Sequence, residues 1–395
     1  MAVVQKPASV GIGPYFLALL VLLLGAAELL SYTFLSLDIP AIRYRVYWPP
    51  AISEAEFQAY LRTRDAFLGW PTKGFLATHA DPDGARLSPA NGRFGNTPAC
   101  VSTYGDSFTY SDEVGDDAAW PNVLAEHLRC PVKNYGVSGY GIDQAVLRFR
   151  SNVKDAANLT ILSFYVVDVT RNMNQWRYLM NGAEPLQFKP SFAWARNGEL
   201  AVEPLPVNSY DDFLRTIENP ADILTAERYL PDAPALPAPL RAKFPYTLSL
   251  AYFVKNKILD KLRNYPDWYD TEDGPWRETI ALNTAIVGEF AQECRRRERR
   301  CVVLVVPDVA SIRLVQKEGR SELEQFLQPI EQYLEVWRTV EFFARQTERF
   351  GVCHYFGEQR DCRGHFNRDG YALLAGFVAE QIGTMKPGLL LTEYP

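Results

Sequence analysis

A chain of 395 residues is long enough to bury a full core and still carry accessory segments. Hydrophobic residues at 47%, aromatics at 13% and charged residues at 22% exclude a disordered or collagen-like polymer. The net charge of −6 comes with no basic stripe, which speaks against nucleic acid as a partner. The one dense basic cluster, RRRERR at 295–300, falls between a helix pattern and a strand pattern and reads as an exposed helix end favoured by the helix dipole.

Taken in chain order, the first element is PYFLALLVLLLGAAELLSYTFL, beginning at residue 14. Tyr15 to Ala27 carry no charge; Glu28 interrupts, and apolar residues resume to Leu35. About 21 residues at 1.5 Å each can cross a hydrocarbon core of about 30 Å. Residues 1–35 are therefore expected to be a transmembrane anchor, meeting the membrane through residues 14–35. The competing reading is a cleaved signal, with Lys6 as its charged start and GAA at 25–27 as its small-residue exit. Residues 36–98 are rich in proline, aromatic and polar residues and contain one helix-like piece, SEAEFQAYLRTRDAFL; they read as a connecting segment packed on the main domain.

From 99 to 385 apolar runs alternate with helical patterns, which predicts an α/β domain of parallel strands joined by crossover helices. The strand runs are CVSTY at 100, VKNYGV at 132, LTILSFYVV at 159, CVVLVV at 301 and VCHYF at 352. Between them, Trp120, Val123, Leu124 and Leu128, or Tyr371, Leu374, Phe377, Val378 and Ile382, recur at helical spacing. Residues of about 172–275 break the rhythm and read as a long insertion, with PDAPALPAPLRAKFP at 231–245 too proline-rich for a helix or a central strand. Its aromatics, among them Trp176, Tyr178, Phe188, Phe192 and Trp194, are expected to pack on the domain rather than to stack on a sugar.

Six cysteines, at 100, 130, 294, 301, 353 and 362, are an even number whose order allows three local pairs. That favours an oxidising compartment over buried free thiols in the cytoplasm. With no CxxC pair and four scattered histidines, no metal and no cofactor is expected. His79, His127 and His354 read as loop, helix-face and strand residues.

The chemistry centres on YGDSFTY at 104–110. Following the first strand pattern, Ser107 falls at a carboxyl end of the sheet, where open parallel sheets bind ligands. Three further strings, NYGVSGYG at 134–141, YVVDVTRNMN at 165–174 and DCRGHFNRDGYALLAGF at 361–377, join it. Together with AWP at 119–121 the set resembles the SGNH or GDSL hydrolase family, over about 99–170 and 300–380. The resemblance implies a flavodoxin-like three-layer α/β/α domain with a five-stranded parallel sheet. It also implies Ser107 as nucleophile, Gly139 as an oxyanion-binding N–H, and His365 as base.

Two positions depart from the family pattern. Val167 stands where an asparagine usually supplies the last oxyanion donor, which leaves Asn172 or Asn174 to swing in; Asn172 is carried as the candidate. Cys362 stands where the orienting acid is usual, three residues before the histidine, so Asp361 is carried as that acid, its loop absorbing one extra residue. A bridge between Cys353 and Cys362 would fix its course. The function expected is a serine esterase acting on O-acyl esters, acetyl for example, of a polysaccharide or cell-envelope component. The same nucleophile would serve an O-acyltransferase, and a non-catalytic scaffold that kept the fold is the competing class, with Val167 and the displaced acid in its favour. The main domain is expected to be extracytoplasmic or periplasmic.

Overall fold

The computed structural model describes residues 12–39, 42, 45–182, 184–231, 239–262, 275–321, 323–357, 362 and 364–385. Helix α1 (Ile12–Leu35) is followed by the short strand β1 (Val46–Tyr47), α2 (Glu54–Thr63) and α3 (Lys73–His79). A reciprocal capping box between Ser53 and Glu56 starts α2 inside the helix-like piece foreseen in the sequence. The α/β domain then runs β2 (Val101–Tyr104), α4 (Ser107–Tyr110), α5 (Trp120–Leu128), β3 (Val132–Asn134), α6 (Ile142–Ser151), β4 (Leu159–Phe164) and α7 (Val166–Arg171). The insertion contributes α8 (Arg177–Asn181), the antiparallel pair β5 (Ser191–Trp194) and β6 (Leu200–Glu203), and α9 (Tyr210–Glu218). It continues through β7 (Leu240–Arg241), which lies parallel to β1, and α10 (Tyr246–Leu262). The domain resumes with α11 (Pro275–Arg296), β8 (Arg300–Val305), α12 (Val309–Glu318), α13 (Glu324–Glu331), β9 (Glu335–Arg338), α14 (Val340–Phe350) and α15 (Arg368–Thr384).

Five parallel strands pair in the order β3-β2-β4-β8-β9. This is the doubly wound, flavodoxin-like order, and its switch point lies between β2 and β4. Alternate residues of each strand feed two cores. Leu162, Phe164, Val303 and Val305 pack with residues of α6, α11 and α13 on one face, while Leu159, Ile161, Val302 and Leu304 pack with α5, α14 and α15 on the other. Burial on both faces is why β8 reads as an apolar run after Arg300 and why β4 is interrupted only by Thr160 and Ser163.

One strand is placed differently from the sequence expectation. VCHYF at 352 is not the fifth strand: Val352–Tyr355 form a 3-10 turn entered through Gly351 at φ +80°, so His354 lies on a turn. The fifth strand is EVWR at 335–338, half-solvated at the sheet edge, with Glu335 bonded to Arg300 of β8. A charged edge strand carries no apolar run to find.

RRRERR also differs in part from an exposed helix end. Arg297 is half-buried against Glu293 and the carbonyls of Phe149 and Asn152, and Arg299 against Asp155. Arg296 keeps the exposed placement. In the insertion, Trp176, Phe188 and Phe192 are buried in the core, as the packing reading required, and Trp194 is half exposed. The six cysteines form three disulfides, Cys100–Cys130, Cys294–Cys301 and Cys353–Cys362.

The connecting segment braces the loops at the carboxyl edge of the sheet. Buried Arg86 donates to the carbonyls of Tyr110, Ser111 and Val114 and pairs with Asp116 at 2.8 Å. Trp70 Nε1 donates to Ser138 O at 3.0 Å, and Tyr140 Oη donates to Trp70 O at 2.6 Å. Both loops that follow β2 and β3 are thereby held from outside the α/β domain.

Candidate active site

The site is built where β2 ends. Gly105 allows the chain to turn tightly, since a Cβ there would run into the carbonyl of Ser163 and the side chain of Thr109. Asp106 then caps α4, its carboxylate accepting from the N–H of Phe108 at 3.0 Å and of Thr109 at 3.4 Å. Ser107 is therefore the first residue of a helical turn at the carboxyl end of the sheet, beside the switch point. Its hydroxyl is 4% exposed by residue and donates to Asp106 Oδ2 at 3.3 Å.

Beneath it lies a buried charged cluster. Arg171 Nη1 donates to Asp168 Oδ1 at 2.5 Å, to Tyr140 O at 2.9 Å and to Asp106 Oδ2 at 3.5 Å, while Nη2 donates to Tyr165 Oη at 3.2 Å. Burial pushes the Asp168 carboxyl well above the ordinary carboxylate range, the Asp106 charge adds to that, and Arg171 works against it. Burial raises Asp106 as well, offset by the charges of Arg171 and His365. The guanidinium thus ties together the floor of the turn that presents Ser107.

His365 comes from the loop before α15 and reaches the same turn. Its ring lies 4.8 Å, centroid to centroid, from that of Phe108, the residue after Ser107, and its charge acts on Asp106, the residue before. Nδ1 of His365 is 3.2 Å from Glu113 Oε1. Both side chains are partly exposed, 23% for His365 and 32% for Glu113. Glu113 arrives there because the chain leaving α4 turns back through two left-handed residues, Ser111 at φ +70° and Glu113 itself at φ +71°. Such conformations in non-glycine residues store strain and cluster at functional sites. Arg86 clamps this turn, and a Cβ on Gly357 would collide with the Glu113 carboxylate, so both neighbours fix where that carboxylate sits.

A cleft of about 810 Å³ opens beside these residues, lined by Phe108, Tyr165, Val167, Arg313 and His365 among others. A smaller cavity of about 260 Å³ is walled by Trp70, Phe75, Tyr110 and Val137 among others. Gly139 stands near it with φ +82°, a conformation that favours glycine, and a Cβ there would lie 3.8 Å from the Trp70 ring. Among the described residues, no group of three or more histidine, cysteine or carboxylate residues is arranged to hold a metal ion.

The structure thus brings Phe108 and His365 together at one cleft, with Ser107 next to Phe108 in the chain, and Gly139 lies in the loop that follows β3. Asn172 is not brought to the cleft. It is buried, its Oδ1 accepts from Asp143 N at 3.0 Å, and its Nδ2 donates to Asn283. The amide therefore fastens the start of α6 to α11, which replaces the expectation of a swinging oxyanion donor. Asn174 is likewise buried and donates to Glu227 and Trp176 O. Asp361 lies outside the described residues. The contact that sequence reasoning did not anticipate is that of Glu113 with His365; Glu113 stands six positions after Ser107 in SDEV, and the two adjacent acids there were a signal, but nothing in their spacing says that the turn folds back.

No protein-family model matches the chain, and no curated protein matches it. Solved structures do. They include a putative lipolytic protein of the G-D-S-L family from Desulfitobacterium hafniense, at 11% identity and TM-score 0.34, over 71% of this chain and 97% of that one. An acetyl xylan esterase, AlAXEase, matches at 10% identity and TM-score 0.36, over 71% and 98%. The psychrotrophic esterase EstA from Pseudoalteromonas sp. matches at 10% identity and TM-score 0.32, over 72% and 98%. The likeness is structural only, and the fold assignment rests on the strand order and connections described above.

Proposed function

We propose that the protein is an SGNH-type serine esterase whose nucleophile is Ser107 and whose base is His365, oriented by Glu113. The observation that carries the reading is the His365–Glu113 contact beside the turn that presents Ser107. A carboxylate on Nδ1 leaves the opposite ring nitrogen to accept the serine proton, and it stabilises the imidazolium that forms. In the ground state Ser107 donates to Asp106, and the scheme requires the hydroxyl to rotate from that carboxylate to the imidazole. As the Oγ–C bond forms, the proton passes to His365, and the same proton leaves with the alcohol when the ester C–O bond breaks. Water, deprotonated by His365, then releases the acid from the acyl-enzyme.

The N–H groups of Ser107 and Gly139 are the oxyanion donors in this scheme. Val167 lines the cleft and offers no donor, so the reading relies on two backbone donors rather than three. The substrate class is an O-acyl ester of a polysaccharide or cell-envelope component, and an acceptor hydroxyl in place of water would make the protein an O-acyltransferase. The domain stands outside the cytoplasm on a retained α1 anchor, a placement supported by the three disulfides and by the apolar stretch Tyr15–Leu35. Asp361 remains the rival orienting acid.

A fluorophosphonate probe tests the nucleophile: labelling of the protein that is lost in Ser107→Ala is expected, and labelling that survives the substitution overturns the assignment. Acetate release measured with and without an oligosaccharide acceptor separates the two outcomes of the acyl-enzyme. Acetate yield unaffected by acceptor identifies a hydrolase.

A further inference from the structure

The anchor carries an acid that its length does not require. Residues 7–27 and residues 29–37 are both free of charge, and Glu28 separates them. Two registers would therefore let α1 span a bilayer. In the first, the part of α1 that ends at Ala27 crosses and Glu28 marks the surface. In the second, Tyr15–Leu35 cross, about 31 Å of helix, and Glu28 lies below the surface.

Glu28 is occupied. Its carboxylate accepts from Tyr246 N at 2.6 Å and from Thr247 N at 3.3 Å, and it takes the Thr247 hydroxyl. It therefore satisfies the open N–H groups at the start of α10, a task normally left to a local cap or to water. An acid inside a lipid-facing helix is costly unless it is paired in this way.

The two helices then continue side by side in one direction. Tyr32 meets Tyr246 at 5.1 Å and Phe34 meets Phe253 at 6.0 Å between ring centroids, with Ser31, Leu35 and Ser249 buried between them. Residues 246–254 of this second element and Phe244–Pro245 before it carry no charge; Lys243 precedes the stretch and Lys255 follows it, as Asp38 follows the apolar end of α1. The outward faces of both are apolar and bare: Leu29, Leu30 and Leu37 on the α1 side, Phe244, Leu248 and Tyr252 on the other, each between 43% and 73% exposed. The first register leaves this whole patch in water. The second covers it, and puts Asp38 and Lys255 where both elements leave the lipid.

We propose that the protein enters the membrane through two elements, the whole of α1 and the uncharged first half of α10, whose Leu248 face contacts phospholipid acyl chains. The occupant is lipid because the patch is continuous with the spanning surface of α1 and ends at charge on both elements at once. Esterase chemistry anchored this way would be held close against the bilayer rather than on a free tether. The inference rests on reading α1 as a retained span.

The test is site-specific photo-crosslinking of the full-length chain in phosphatidylethanolamine–phosphatidylglycerol vesicles. Benzoylphenylalanine is placed at Leu22, Leu248, Tyr252 or, as a solvent-facing control, Lys317. Phospholipid adducts at 22, 248 and 252 and none at 317 are expected. Adducts at 22 without any at 248 and 252 overturn the proposal while leaving the anchor intact. Adducts at 248 to a second copy of the chain, or to another protein, overturn it in favour of a protein interface. Absence of lipid at 22 as well overturns the anchor and the proposal together. As a second measurement, the emission that Leu248→Trp adds over the wild-type signal of eight tryptophans is expected to be quenched at least twofold more by acyl-brominated lipid than by aqueous iodide; the reverse ranking of that difference signal places residue 248 in water.

Discussion

Substituting Glu113 by glutamine removes one charge from the site while keeping the shape of the side chain. In the resting enzyme the loss matters little, because a neutral imidazole gains only a hydrogen bond from the carboxylate. In the transition state His365 is cationic, and the partner charge is 3.2 Å away. Coulomb attraction at that distance is about 1.3 kcal/mol at the dielectric of water and about 5 kcal/mol at an effective value of about 20. Both side chains are partly exposed, at 23% and 32%, which places the pair near the weaker limit. The expected loss of transition-state stabilisation is about 1.4–2.7 kcal/mol, a fall of about 10- to 100-fold in kcat/KM. The assay is hydrolysis of a chromogenic acetate ester by the full-length protein in detergent, with thermal melting run beside it to confirm the fold. Asp361→Asn is measured in parallel and is expected to stay within about threefold of wild type, a margin of under 1 kcal/mol. A Glu113→Gln enzyme within twofold of wild type, beside a collapsed Asp361→Asn enzyme, would refute the assignment and return the orienting role to Asp361.

Three other substitutions test the supports of the site. Gly357→Ala is expected to push the Glu113 carboxylate off His365, so it should lower kcat/KM about as much as Glu113→Gln with little change in melting temperature; full activity would show that the carboxylate can yield without leaving the ring. Arg86→Met leaves the carbonyls of Tyr110, Ser111 and Val114 without their buried donor, and should destabilise the fold by about 2–4 kcal/mol in a urea titration and abolish esterase activity. For Asp168, burial raises the folded-state pKa above the unfolded value, so the folded protein binds the extra proton and stability falls as pH rises from the unfolded pKa through the folded one. Denaturation midpoints compared between pH 5 and pH 8 should therefore drop more in wild type than in Asp168→Asn, and equal slopes would place the raised pKa elsewhere.

What could be read in the sequence follows from where each residue is buried. The strands β4 and β8 announce themselves because the sheet is covered on both faces by helices, which favours apolar residues at consecutive positions, while β2 and β3 are short and carry polar residues at Ser102, Thr103, Lys133 and Asn134. The edge strand Glu335–Arg338 has one side in water and pairs through charge, so the apolar string VCHYF drew the strand reading instead. Ser107 and His365 can be singled out as candidates because each sits next to a recognisable element, the end of a buried strand and the start of a long helix. Their identification needs order along the chain but no knowledge of the turns between.

Glu113 is illegible for the opposite reason. Its position depends on two left-handed residues with side chains, Ser111 and Glu113, and on Arg86 reaching in from a segment before the domain begins. No local preference favours that path; the clamp on three carbonyls imposes it. Spacing before the histidine pointed to Asp361 because an orienting acid close in sequence is the simplest way to reach Nδ1. A carboxylate delivered from the nucleophile's own turn reaches the same nitrogen with different consequences. In the proposed triad Ser107 and Glu113 share one clamped loop, and only His365 arrives from elsewhere, on the short stretch between the Cys353–Cys362 bridge and α15. Reducing that bridge should therefore loosen His365 against a fixed Ser107–Glu113 pair, so activity should fall with dithiothreitol while fluorophosphonate labelling slows in proportion.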